Sequence, residues 1–261
     1  MRNSPERQVK INLGSFVAKE LIKPSDKVFV ASGTSAAVTG LEILCKHPEV
    51  RIYTHSVPLA WHFMEFMYLK YLEQSAAVEV LGGNVEPTTG IIRNGNGRMG
   101  KIPSNVFVYG PHGIGPTGIT GNRDVIYLQG AWKAHRRVIL VATFAKLLRT
   151  GHEVIKYMGH IKKEHEAKTK VVELVVPSEI PEELQKHEGH IEEVLALAMG
   201  AGIKIHRAPP VADSMWVRYF TDTDKMSGRV LKTESPSLDG RPPSLQSAKE
   251  KPGGKAGKRG R

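Results

Sequence analysis

Short apolar runs recur along the chain, each closed by small polar residues and followed by a stretch with helical periodicity. Residues 27–31 read Lys-Val-Phe-Val-Ala and end in Ser32, Gly33, Thr34 and Ser35, after which residues 36–45 predict a helix. The same unit returns at residues 51–54, which are followed by His55 and Ser56 and then by a helix from Pro58, with Ser56 as its N-cap. Residues 77–81 end in Gly82 and Gly83, and residues 106–109 end in Gly110, Pro111, His112 and Gly113. A helix over 124–135 leads to the most continuous strand, 137–142, and then to Thr143, Phe144, Ala145 and Lys146. Strands at 170–176 and 203–205 flank a helix over 181–199. Ahead of all this, Leu13, Phe16, Val17, Glu20 and Leu21 sit at helical spacing over 11–21, until Pro24, Ser25 and Asp26 break the run. Apolar strands alternating with helices predict an α/β fold, a mainly parallel sheet with helices on both faces.

The pattern bounds the domain organisation. It spans residues 11–208, preceded by a ten-residue N-terminal extension and followed by a C-terminal extension over 209–234. From residue 235 onward Pro, Ser, Gly and Lys dominate, which predicts a disordered basic tail.

Charge adds a partner question. The 261 residues carry a formal +11, and residues 242–261 supply much of it: Lys249, Lys251, Lys255, Lys258, Arg259 and Arg261 stand against Glu250 alone. Nonspecific contact of residues 249–261 with nucleic acid is one expectation, weakening steeply with salt. The longest uncharged stretch, 102–122, contains Pro103, Pro111, Pro116 and five glycines and so cannot form a lipid-facing helix, which leaves no membrane span. The N-terminus is polar and lacks a signal core, and the chain holds a single cysteine, so a cytoplasmic location is expected. Cys45 has no activating neighbour in sequence and reads as a small buried residue.

In a parallel α/β sheet, ligands bind beyond the carboxyl ends of the strands, where helix N-termini favour anions. Every small-residue loop above lies at such an end. Ser32, Gly33, Thr34 and Ser35 offer hydroxyls and a closely approachable backbone, enough to hold one phosphate group or to make an ordinary strand-to-helix turn. They match neither a phosphate-loop GxxxxGK[ST] nor a dinucleotide GxGxxG, and no cofactor is expected. His187 and His190 with Glu183 lack a metal-binding spacing, so no metal is expected either. Trp61, Phe63, Met64, Phe66, Met67, Tyr68 and Tyr71 make an aromatic helix that reads as core, with a homo-oligomer interface as the other reading.

The order of these motifs resembles the sugar-phosphate sensor domain of DeoR-type bacterial repressors. The residues that carry it are Ser32-Gly33-Thr34, Tyr53-Thr54-His55-Ser56, Leu81-Gly82-Gly83, residues 107–114, Gly118-Ile119-Thr120 and Ala142-Thr143-Phe144-Ala145-Lys146. The family reads approximately D-S-G-T-T, V-T-N-S, L-L-G-G, F-I-G-A-D-G-I, G-L-T-T and A-D-S-S-K at the corresponding places. The resemblance implies the fold shared by ribose-5-phosphate isomerases, glucosamine-6-phosphate deaminases and CoA transferases. It also implies that Ser32 to Ser35 hold a phosphate, that Thr54 and Ser56 flank it, and that Gly82 and Gly83 let backbone approach the ligand. Gly110 to Gly113 would line the sugar end, Lys146 would add a cation, and Asp124 falls near an acidic position that opens the next helix.

This chain departs from the family at three of these places. His112 stands where the family has Asp in G-A-D-G, Thr143 where it has Asp in A-D-S-S-K, and His55 where it has Asn. Loss of two carboxylates weakens the base chemistry of an aldose–ketose isomerase, although His112 can move a proton near neutral pH. The same changes favour a more anionic ligand, because a protonatable histidine does not repel a second phosphate or carboxylate as Asp would. His55 and His112 can also be read as polar loop residues and nothing more. About ten residues precede the sensor-like region, too few for the family's helix-turn-helix, so a stand-alone regulatory sensor is the leading expectation. A sugar-phosphate isomerase or deaminase using His112 is the alternative, and a nucleic-acid-associated protein acting through its tail the third.

Overall fold

A computed structural model describes residues 5–69, 71–73, 75–88, 90–93, 103–121, 125–149, 153–212 and 214. Asp124 and the basic residues of 249–261 lie outside the described residues.

Helix α1 (Pro5–Phe16) starts with proline at its first position, where the missing N–H costs nothing, and runs into a π-helical turn at Val17–Leu21. It therefore begins six residues before the apolar periodicity, and part of the expected N-terminal extension is helix. Strand β1 (Lys27–Val30) leads to α2 (Thr34–Lys46), β2 (Arg51–Thr54) to α3 (Val57–Tyr68), and β3 (Ala77–Val80) to a hairpin of β4 (Asn84–Glu86) and β5 (Ile91–Arg93). Strand β6 (Val106–Tyr109) is followed by the short β7 (Gly113–Gly115) and β8 (Gly118–Gly121), then by α4 (Val125–Ala134) and β9 (Arg137–Val141). The rest comprises β10 (Glu153–Tyr157), α5 (Met158–Glu166), β11 (Val171–Pro177), α6 (Glu188–Gly200) and β12 (Lys204–Ala208). The single helix expected over 181–199 is divided: a 3₁₀ segment occupies Glu182–His187, and α6 starts only at Glu188.

Seven strands form one parallel sheet in the order β12-β11-β9-β6-β1-β2-β3. The fold is α/β, a mainly parallel sheet flanked by helices, as the hydrophobic pattern predicts. Strand alternation splits the core between the two faces. Val28, Val30, Ile52, Val108 and Val141 pack with Ile11, Leu13, Leu41, Leu44, Leu59 and Phe66 from α1, α2 and α3. Phe29, Tyr53, Phe107, Leu140 and Leu174 pack with Tyr127, Trp132, Ile161, Ile191 and Val194 from α4, α5 and α6. A second sheet, antiparallel, joins β10, β8 and β7. Among the described residues, no helix is long and apolar enough to cross a membrane.

The aromatic helix departs from expectation. On α3, Leu59 and Phe66 are buried, but Trp61 is 64% exposed, Met64 55% and Tyr68 86%. The side of the helix opposite the sheet has no described element over it, so the core reading is wrong for these three residues. Cys45 is partly buried; its thiol, 3.8 Å from the Tyr71 carbonyl, is pushed up to about 12 by burial and by the Glu42 charge, which makes it a poor nucleophile.

Candidate functional site

From β1 the chain moves outward through β2 and β3, then returns to the other side of β1 with β6 and continues outward through β9, β11 and β12. Strand order therefore reverses between β1 and β6, and at such a point the loops beyond the strand ends diverge and leave a crevice. The loops after β1, β6 and β9 meet there. Lys146, in the 3₁₀ turn after β9, donates from Nζ to Ser35 Oγ in the first turn of α2 at 3.4 Å. Gly110, just after β6, sits between them: a Cβ there would lie 3.2 Å from Ser35 Cβ, 3.4 Å from Ala36 N and 3.5 Å from Lys146 Nζ. The absence of a side chain at Gly110 is what lets the lysine reach the helix.

Helix α2 begins on Gly33, whose φ of +105° is unfavourable for any other residue type, and no side chain caps it. Its first-turn N–H groups and the dipole behind them thus face the same crevice as the Lys146 ammonium. Ser35 is buried, whereas Gly33 and Thr34 are exposed and Ser32 is half-buried.

Other buried or half-buried cations among the described residues have acceptors. Arg137 pairs with Glu173 at 2.7 Å, Lys156 pairs with Glu164, and Lys170 donates to the carbonyls of Trp132 and His135. Lys146 differs, for among the described residues its one hydrogen bond is to the neutral Ser35 hydroxyl. Burial first, and then the charges of Lys10 and Arg149, lower its pKa from the ordinary 10.5 to about 8, with Glu6 alone opposing them. Lys10 and Glu6 are themselves paired at 2.9 Å across one turn of α1. Glu6, Lys10 and Arg149 were not candidates from the sequence. The only sequence signal for the α1 pair is its i,i+4 Glu-Lys spacing, which marks solvated helix faces just as well.

The remaining candidates fall into groups. Thr54 is fully buried and its hydroxyl donates to the Val30 carbonyl at 2.8 Å and accepts from the Ser56 N–H, tying β2 to β1. Ser56 Oγ accepts from the Leu59 N–H at 3.3 Å, which is the predicted N-cap. Both hydroxyls serve local structure. His55 is fully buried and stacks on Tyr127 at 4.6 Å and Phe29 at 5.5 Å between ring centroids, below the β4–β5 hairpin, whose Ile92 N–H donates to the His55 carbonyl. Gly82 and Gly83 follow the edge strand β3, both exposed and Gly82 in open space, two strands away from β1. His112 is half-buried at the start of the β7–β8 hairpin and its backbone N–H donates to the Thr120 carbonyl at 2.9 Å. Gly113 is a point of close approach: a Cβ would stand 2.4 Å from the Arg149 carbonyl oxygen and 2.8 Å from Thr120 Oγ1. Thr143, where the resembled family carries Asp, buries its hydroxyl without a hydrogen-bond partner among the described residues. His190 pairs with Glu193 on an exposed helix face, and among the described residues no three His, Cys, Asp or Glu gather as a metal-binding set.

No protein-family model matches the chain, and no curated protein does. Among solved structures it is similar to ribose 5-phosphate isomerase from Plasmodium falciparum, at 11% identity and a TM-score of 0.37 over 54% of this chain and 52% of that one. It is similar to ribose 5-phosphate isomerase A from Methanocaldococcus jannaschii, at 12% identity and a TM-score of 0.35 over 55% of each chain. It is also similar to a bulky-bulky ketone specific alcohol dehydrogenase from Comamonas testosteroni, at 8% identity and a TM-score of 0.31 over 82% of this chain and 97% of that one. The match spans about half the length of the isomerases. Likeness at these scores decides nothing about chemistry, so the fold assignment rests on the strand order and register given above.

Proposed function

We propose that the protein binds a phosphorylated sugar or a related small anion in the crevice between β1 and β6, and that binding serves regulation, in the manner of a DeoR-type sensor. One observation carries the reading: Lys146, a half-buried cation with no carboxylate at ion-pair distance among the described residues, bonded to Ser35 over the uncapped start of α2. Burying a charge without a counter-charge is costly, and an anion seated on Lys146 and the α2 N–H groups removes that cost. The neighbours favour binding over turnover, because His112 and Thr143 stand in the loops where the resembled family places carboxylates.

A thermal-shift screen against phosphorylated sugars, sugar acids and nucleotides at two salt concentrations tests it. Stabilisation by one class of sugar phosphate, lost in Lys146→Ala, is the expected result. A flat screen with an intact fold overturns it.

Turnover of the bound sugar phosphate, the activity named for the two isomerases, is the second reading. Lys146 is what favours it, since an ammonium with a pKa of about 8 can give and take a proton near neutral pH. Product formation that disappears in Lys146→Ala or His112→Ala while binding persists would establish it. Nucleic-acid contact through residues 249–261 is a separate proposal resting on composition, and deletion of residues 242–261 tests it.

A further inference from the structure

The pairing of Glu6 with Lys10 is lopsided. A Glu-Lys pair one turn apart on a solvated helix normally exposes both side chains. Here the Lys10 side chain is 13% exposed and that of Glu6 54%. The lysine side chain lies largely covered and the carboxylate reaches it from the more exposed side.

Helix α1 runs alongside α2 in the same direction: a Cβ on Gly14 would stand 3.1 Å from Thr39 Cα, and Ser15 donates to Glu42 at 2.6 Å, so Lys10, one turn ahead of Gly14, comes level with Ser35, one turn ahead of Thr39. Lys146 and Arg149, from the turn after β9, are the other charges acting on this pair. The Glu6 carboxyl is held below its usual range first by the hydrogen bond from Lys10, against the effect of burial, and then by the charges of Lys10, Arg149 and Lys146. Among the described residues, no carboxylate lies within ion-pair distance of Lys146 or Arg149. Three cations thus share one carboxylate at the mouth of the crevice. One phosphate on Ser35 and Lys146 leaves Lys10 and Arg149 with Glu6 as the one counter-charge that the described residues give them.

Resting on the binding reading above, we propose that Glu6 is a built-in counter-ion for Lys10 which a ligand's second anionic group displaces, so that the site takes a small molecule with two anionic groups. An exposed, singly attached carboxylate on the first turn of α1 can swing into solvent, whereas the largely covered Lys10 side chain has less freedom to follow it. The exchange leaves the number of ion pairs unchanged and delivers the second anion to a cation that is already ordered, which is the pre-organisation that makes a subsite.

Inorganic phosphate and inorganic pyrophosphate are the probes, titrated calorimetrically at one low ionic strength, and the readout is the ratio of their affinities. Wild-type protein binds pyrophosphate about tenfold tighter, the worth of one further charge-assisted contact. Glu6→Gln removes the competitor and raises the ratio, Lys10→Met brings it close to one, and Lys10→Arg restores it. Thermal unfolding of each variant establishes that it is folded. A wild-type ratio near one, or a ratio that neither variant moves, overturns the counter-ion role while leaving phosphate binding at Lys146 in place. If neither anion binds the wild-type protein, the binding reading and this inference fall together.

Discussion

Lys146 Nζ and Ser35 Oγ meet at 3.4 Å, a contact that joins the turn after β9 to the first turn of α2 across the end of the intervening β6. The two residues are 111 positions apart in sequence, and Gly110 at the end of β6 leaves the space through which they touch. If this contact marks an anion site, removing the cation should weaken anion binding sharply. Lys146→Met is expected to cost about 2 kcal/mol, roughly thirtyfold in affinity for a sugar phosphate, read by calorimetric titration.

The pH dependence follows from the same lysine. Its pKa in the folded protein, about 8, lies below the 10.5 of an unburied lysine. Between those values the unfolded chain binds the extra proton and the folded protein does not, so stability should rise with pH across that window, and Lys146→Met should flatten the rise. Binding runs the other way. An anion needs the protonated lysine, so affinity should fall above about pH 8, and binding above that pH should take up a proton. A phosphate monoester completes its second ionisation near pH 6, which places the optimum between about 6 and 8. Titrations in buffers of different ionisation enthalpy measure the proton uptake directly.

Two neighbouring glycines should respond differently to the same change. At Gly110 a methyl group would press on Ser35, Ala36 and Lys146 at 3.2 to 3.5 Å, so Gly110→Ala is expected to reduce anion affinity at a cost of about 1 kcal/mol or less in stability. At Gly113 the methyl would collide with the Arg149 carbonyl oxygen at 2.4 Å, where only a backbone shift can relieve it. Gly113→Ala should therefore cost about 2 kcal/mol or more, measured by denaturant unfolding.

Thr143 buries a hydroxyl without a partner among the described residues. Replacing it with the isosteric valine removes that unsatisfied group, and Thr143→Val is expected to stabilise the protein by about 1 kcal/mol. A loss of stability would show that the hydroxyl has a bonded partner in solution.

The exposed stripe on α3 gives a contrast within one helix. Trp61→Ala should change stability by no more than about 0.5 kcal/mol, whereas Phe66→Ala, which empties a fully buried position, should cost about 3 to 5 kcal/mol. Sedimentation of the Trp61 variant also tests whether this stripe joins two copies of the chain.

The inner strands of the parallel sheet were legible because they are runs rich in apolar residues buried on both faces, as Val106–Tyr109 and Arg137–Val141 show, whereas the edge strands β3 and β12 are more exposed. The loops of the site were legible for a related reason: small residues such as Gly33 and Gly110 stand at strand ends, where a helix must start and a backbone must approach. What went unread lacked those signals. Strand β7 is Gly-Ile-Gly and β4 is Asn-Val-Glu, too short for any period, and α5 carries Lys162, Lys163, Glu164 and Glu166 with only Met158 and Ile161 buried. The aromatic residues of α3 show a different limit. Their spacing reveals a face, but whether that face meets the sheet depends on Leu59 and Phe66, which are equally apolar. Lys10 and Arg149 reach the site through tertiary packing of α1 and the β9 turn, and no spacing along the chain encodes that approach.

The most direct test of the anion site is the ionisation of Lys146 itself, followed by heteronuclear NMR of the lysine side-chain ammonium with and without inorganic phosphate. A pKa near 8 that climbs toward the ordinary lysine value as phosphate saturates the protein is the predicted result. A Lys146 pKa that phosphate leaves unmoved, in a folded protein, would contradict the assignment of this crevice as an anion site.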